Sequence, residues 1–268
     1  METDIQTLNE QARRLDYLLR LETYPLAVKW YEDARDVPAG AMFPMRDKGK
    51  HIALCQAFSL ARMRGMTVAM EIRDHWCWNP LVAFGMVDCS PGSKAFEVIK
   101  PLIGVPPKDA DDFLARFPRL EAGKYKAVVV APLYKADFMP DVILIYSNTA
   151  QLNMMLRAVK SQTGELVKSV FDGIDSCAYA TVPTMLTREF RITIPDPGDV
   201  ERARAGKDEI IFSVPPEKLH LILDGLERLS GHGMTYRTAP VVLPFDFERP
   251  PFYNELFKIW GLDQGEDW

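Results

Sequence analysis

Asp141-Val142-Ile143-Leu144-Ile145-Tyr146-Ser147-Asn148-Thr149-Ala150-Gln151-Leu152 is the stretch on which the fold turns. Val142 to Ile145 is a continuous apolar run of strand length, and such a run fits a strand covered on both faces. The residues after it open an amphipathic helix, expected over 149–160, with Met155, Leu156 and Val159 apolar. The pattern returns without a gap at Asp208-Glu209-Ile210-Ile211-Phe212-Ser213-Val214-Pro215-Pro216-Glu217-Lys218-Leu219, where Ile222, Leu223 and Leu226 take the same helix positions. Both copies read as strand, short turn, amphipathic helix.

Outward from this stretch, Val128 to Val130 is a second clear apolar run, and Leu26 to Tyr31, Thr67 to Ile72, Phe190 to Ile194 and Glu209 to Ser213 complete the expected strands. Helical spacing marks the N-terminal stretch with Ile5, Leu8, Ala12, Leu15, Leu18 and Leu19, then His51 to Arg64 with Gly65 as its stop, Asp109 to Phe117, and Pro216 to Leu229. The expected architecture is α/β, with α+β as the alternative: a mixed sheet with flanking helices. Residues 1–239 form one interleaved domain, and residues 240–268 an aromatic C-terminal arm packed on the body or on a partner subunit.

A second internal echo joins Cys55 to Cys177. Each opens a helical stretch that turns near Gly65 or Thr187, enters a strand and leaves it at Cys77 or Asp196. The pattern is compatible with an internal pseudo-two-fold duplication, and short matches of this kind also arise by chance.

The 268 residues suffice for one large core, and a formal charge of -5 provides no basic field for a polyanion, so nucleic acid is not an expected partner. No apolar run approaches a membrane span and the N-terminus lacks signal-peptide character, so a cytoplasmic location with reduced thiols is expected. Four widely spaced cysteines point the same way.

Cys55, Cys77 and Cys177 are the main candidates for chemistry, because clusters and zinc take ionised thiolates that a fold can gather from distant segments. Spacing alone favours the plainer reading, three small buried core residues, since no CxxC pair is present. His51 and His75 lie near Cys55 and Cys77 and leave a mixed His/Cys zinc site open. Cys89 precedes a turn and is a reserve ligand or an ordinary thiol. Trp76 and Trp78 flank Cys77 and would wall a ligand pocket or simply pack. Asp172, Asp175, Arg188 and Asp196 are further polar candidates. Walker A, complete G-x-G-x-x-G, H-E-x-x-H and G-x-S-x-G patterns are missing, and Pro91-Gly92-Ser93-Lys94 is a weak anion-binding pattern at a helix start.

Several of these pieces together resemble the archaeal and bacterial cysteine-rich family known as domain of unknown function 169. They are Pro25-Leu26-Ala27-Val28-Lys29, Cys55-Gln56-Ala57 with Ala61-Arg62 and Gly65, Cys77 ahead of Gly85, Gly123-Lys124-Tyr125-Lys126 running to Pro132, Pro140-Asp141-Val142, and Val214 to Leu219. The resemblance implies that the family's recurring cysteines fall on Cys55, Cys77 and Cys177, and that they serve a cluster or metal role. The resemblance also implies that many members carry Pro-Cys-x-Gly after the late strand, where this chain has Pro195-Asp196-Pro197-Gly198. That departure puts a carboxylate in place of a fourth thiol.

The resulting expectation is an iron–sulfur protein of anaerobic-type metabolism. A 4Fe–4S cluster would sit on Cys55, Cys77 and Cys177 with Asp196 near the open iron, acting as a Lewis acid or passing electrons to a partner; zinc, or no cofactor, is the alternative. A cluster-free enzyme or binding protein for a small molecule, with a pocket of Trp76, Trp78 and thiols, is one rival. An oligomeric interaction module with structural cysteines is the other.

Overall fold

A computed structural model describes residues 4–236 and 251–262. In chain order the elements are α1 (Ile5–Leu19), β1 (Leu26–Tyr31), α2 (Pro44–Lys48), α3 (Leu54–Arg64), β2 (Val68–Glu71), α4 (Trp78–Ala83), α5 (Lys94–Ile99), α6 (Ala110–Arg116), β3 (Ala127–Pro132), β4 (Val142–Ser147), α7 (Thr149–Thr163), α8 (Ser176–Thr187), β5 (Arg191–Thr193), α9 (Pro197–Ala203), β6 (Ile210–Val214), α10 (Leu219–Gly231) and α11 (Pro251–Ile259).

Local chemistry sets many of these boundaries. Asn148 caps α7 by accepting from the Gln151 N–H at 2.9 Å, while the Gln151 side chain accepts from the Asn148 N–H. Gly65 ends α3 at φ 68°, a conformation that glycine adopts without steric cost. Pro44 begins α2 at the position where its missing N–H is harmless. That short helix lies within what the sequence suggests is a loop from Asp36 to Lys50.

One six-stranded sheet, ordered β2-β3-β1-β4-β6-β5, carries helices on both faces, as expected of an α/β fold. Leu26, Val28, Trp30, Val130 and Leu144 meet Leu54, Phe58, Ala178 and Val182 of α3 and α8 on one face. Ala27, Val129, Ile143 and Phe212 meet α1, α7 and α10 on the other through Leu8, Leu15, Met155, Ile222 and Leu226. Each large side chain buried this way contributes roughly 1.5–3 kcal/mol. Every strand pair is antiparallel, where a mixed sheet was expected; parallel contact is confined to isolated bridges at Met42–Val68 and Ile52–His75. The physical reason is that a continuous apolar run reports cover on both faces and carries no information on strand direction.

The strand order divides into two equivalent threes, β2-β3-β1 and β4-β6-β5, joined where β1 pairs with β4. In each half the first strand is central, the second lies at the edge and the third fills the gap. The helix that leads into the second strand is α3 in one half and α8 in the other. This order matches the Cys55/Cys177 echo. The other echo, β4–α7 against β6–α10, relates neighbours within one half, and its two helices pack closely: a Cβ on Gly225 would stand 2.5 Å from the Ala158 carbonyl oxygen.

Part of the expected arm at 240–268 lies outside the described residues. Its described portion holds α11, with Ile259 and the following Trp260 exposed. Among the described residues no helix is long and apolar enough to cross a membrane.

Candidate functional site

The duplicated topology has a direct consequence for the cysteines. Cys55 is the second residue of α3 and Cys177 the second residue of α8. Cys77 is the N-cap of α4, the helix after edge strand β2, and Asp196 is the N-cap of α9, the helix after edge strand β5. All four line one cavity of about 210 Å³, together with Trp78, Asn79, Asp175, Ser176 and Arg202 among others. None of the four cysteines of the chain forms a disulfide.

Hydrogen bonds define the floor. The Cys177 thiol donates to Asn79 Oδ1 at 3.2 Å, and Asn79 Nδ2 donates to Asp175 Oδ1. The other oxygen of Asp175 is buried with no partner among the described residues. Ser176 donates through N–H and Oγ to Asp196 Oδ2, at 3.2 and 2.9 Å, and its Oγ also contacts Asp199 Oδ2. Asp196 Oδ1 accepts from the Asp199 N–H at 2.9 Å. Both oxygens of Asp196 are thus engaged, Oδ2 tying α8 to α9 and Oδ1 capping α9.

A network of charged side chains lies below. Tyr146 donates to Asp199 at 3.4 Å, and the Arg62 guanidinium lies 4.0 Å from the Tyr146 ring centre. Arg62 is fully buried on α3 and forms a forked ion pair with Glu209 at 2.6 and 3.0 Å. At the rim, the Arg202 guanidinium stacks on Trp76 at 4.7 Å, and Trp76 itself is 61% exposed.

Burial dominates the titration behaviour. It pushes the Cys55 thiol up to about 12, with the charges of Asp199 and Asp196 adding to the effect. Cys77 is raised by burial, and Cys177 is raised well above the usual thiol range for the same reason. Burial also lifts Asp175 to about 7 and Asp199 to about 6. Thiols and carboxylates crowd this cavity, and among the described residues Arg202 is the single cation lining it. The thiols are therefore protonated and unreactive unless positive charge enters.

Among the described residues no three His, Cys, Asp or Glu side chains stand as a group that could hold a metal ion in their present rotamers. The donor set nevertheless fits a cationic centre in kind. Three soft ligands from separate segments share one small cavity with an excess of acidic groups and an orphaned carboxylate oxygen.

Other sequence candidates lie elsewhere. His51 Nδ1 faces the Arg73 carbonyl at 2.8 Å, and His75 is buried with both ring nitrogens unpartnered among the described residues; neither lines the cavity. Cys89 sits in the core, its carbonyl accepting from Arg119. Arg188 pairs with Glu217, Asp172 accepts from the Ile174 N–H, and Ser93 serves as the cap of α5. Sequence reasoning missed Asn79, Ser176, Asp199 and Arg202. The available signal was proximity: Asn79 is two residues from Cys77, Ser176 adjoins Cys177, and Asp199 completes a capping box with Asp196.

A family model described as uncharacterised ArCR, domain of unknown function 169, matches residues 14–225. An uncharacterised protein of Methanocaldococcus jannaschii is 25% identical over 227 residues, covering 84% of this chain and 95% of that protein. No solved structure matches the chain at a significant level. With most of its length matched, the whole cavity included, the chain belongs to the ArCR family, domain of unknown function 169.

Proposed function

We propose that this cavity is a metal centre held by Cys55, Cys77 and Cys177, with an iron–sulfur cluster as its occupant, in a protein of a reducing compartment such as the cytoplasm. The observation that carries the reading is the equivalence of positions: two thiols at second helix positions and one at an N-cap meet in one cavity, with Asp196 at the fourth. Asp196 is engaged as a cap, so its part in the reading is to orient α9 and Ser176, leaving the fourth position free of thiol. Bound there, a cluster would supply electron transfer or, at the iron without thiolate, a Lewis acid for a small oxygenated substrate.

The chain's own residues do the rest. Asn79 accepts the Cys177 proton-bearing contact and would release the thiol on ionisation, while Trp78 restricts water on the wall. Cationic charge would favour thiolate over thiol at all three cysteines, reversing the effect of burial.

Anaerobic purification followed by visible absorption, iron and acid-labile sulfide analysis tests this. Brown protein with iron and sulfide, lost in Cys55→Ser and Cys177→Ser variants that retain their fold by circular dichroism, is the expected result. Colourless protein without metal after anaerobic reconstitution would falsify the proposal. Zinc in place of iron would keep the three-thiol centre and remove its redox role.

A further inference from the structure

The polar groups of the cavity divide sharply into engaged and unengaged. Asp196 and Asp199 have their oxygens occupied by Ser176, Tyr146 and backbone N–H groups. Two groups are left over. Oδ2 of Asp175 is buried and without a donor among the described residues, in a residue only 2% exposed. The Arg202 guanidinium makes no ion pair or hydrogen bond among the described residues, and the Trp76 face holds it at the rim.

A buried acceptor lacking a donor is costly, about 1–3 kcal/mol, and an arginine held over an indole face without a hydrogen-bond partner keeps its N–H donors for a ligand. The cavity thus offers one cationic fork outside and one acceptor inside. One further feature favours negative charge near the entrance. α3 starts at Ala53, which lines the cavity and has no side-chain acceptor to cap the helix, whereas at α8 the Ser176 N–H is already taken by Asp196. At about 210 Å³ the cavity is smaller than the roughly 300–1,000 Å³ that drug-sized ligands occupy, which limits the ligand to a few heavy atoms.

We propose that the cavity binds a small hydroxy- or amino-carboxylate, its carboxylate on the Arg202 fork and its hydroxyl or amino hydrogen on Oδ2 of Asp175. The inference rests on reading this cavity as the functional site, and it names the substrate class for the centre proposed there. Arg202 and Asp175 are binding residues in this scheme. A plain carboxylate satisfies only the fork, and inorganic phosphate brings extra negative charge against Asp175, Asp196 and Asp199; both should bind less well.

The test uses the full chain, as purified anaerobically and again after chelation, titrated with lactate, alanine, propionate and inorganic phosphate. Binding is followed by calorimetry and by tryptophan fluorescence, since Trp76 lies under the guanidinium. Lactate or alanine should bind roughly tenfold or more tighter than propionate, the scale of one satisfied buried acceptor. Arg202→Met should weaken that binding by about tenfold or more, and Arg202→Lys should restore part of it. Asp175→Asn keeps the contact with Asn79 through its oxygen and places an amide donor where Oδ2 was, so the preference for alanine over propionate should vanish, since an ammonium cannot accept from it. Absence of saturable binding to about 10 mM, equal binding of propionate or phosphate, or insensitivity to Arg202→Met overturns the inference. Iron without carboxylate binding sinks the inference and leaves the metal reading standing. Arg202-dependent lactate binding by protein that never takes up metal does the reverse.

Discussion

Replacing Glu209 with Gln tests the charge network beneath the cavity. Arg62 has a side chain with 0% exposure and Glu209 one with 12%, so the pair is desolvated. Removing one partner of a buried pair costs about 3–5 kcal/mol, because the remaining charge is left without compensation. Glutamine retains one neutral acceptor for the fork, and the Tyr146 face, about 2 kcal/mol for a desolvated cation, stays in place. Two charge-assisted bonds at roughly 1.5–3 kcal/mol each become one ordinary bond near 1 kcal/mol. The expected loss is about 2–5 kcal/mol. With a urea dependence of about 3 kcal/mol per molar, the midpoint should fall by roughly 1 M with unchanged slope. Glu227→Gln, which breaks the half-exposed pair with Arg14, serves as the comparison and should cost under about 1 kcal/mol. If Glu209→Gln costs no more than Glu227→Gln, the buried pair is not what fastens α3 to the second half of the sheet.

Three further outcomes follow from particular contacts. Gly225→Ala should destabilise by about 2 kcal/mol despite a helix-propensity gain near 1 kcal/mol, because its Cβ would stand 2.5 Å from the Ala158 oxygen; a raised thermal midpoint would contradict the close α7–α10 contact. Asp141 is raised by burial although it accepts from the Trp30 N–H at 2.9 Å. A carboxyl raised in the folded state contributes stability below its unfolded value and loses it as pH rises through the folded one, so Asp141→Asn should gain on the parent chain between about pH 3 and pH 7 in parallel denaturation series. An advantage that shrinks with rising pH would show the sign to be wrong. Asp196→Cys should weaken the α9 cap by about 0.5–2 kcal/mol and raise iron and sulfide retained per chain after anaerobic reconstitution; retention equal to or below that of the parent chain would remove the equivalence of Asp196 with Cys77.

Much of this molecule can be read from its residues, and the exceptions have physical causes. β4 and α7 were legible because apolar run and helical spacing agree at one place. The thiols' meeting point was legible in the echo of Cys55 and Cys177, since matched helix starts in matched halves face the same region. Strand direction was not, because an antiparallel sheet covered on both faces has the same apolar runs as a parallel one. Nor were Arg202 and Asp199, single polar residues of a short helix whose importance comes from what α9 approaches in space.

The asymmetry of the cavity follows from the chemistry of helix starts. Cys77 and Asp196 hold the same N-cap position in the two halves, yet only aspartate is a strong cap. Asp196 accepts from Asp199 and Ser176 and so fixes α9 to α8; Cys77 makes no side-chain capping bond, and α4 is only six residues long. A thiol at position 196 would free the fourth corner for a soft ligand and loosen that junction. Arg202 lies six residues further on, in the last turn of the same α9, and sits over Trp76 at the rim. The residue that withholds a fourth thiol therefore also fixes the helix that carries Arg202, the one cation lining the cavity among the described residues, which makes a cavity open at one corner and cationic at its entrance.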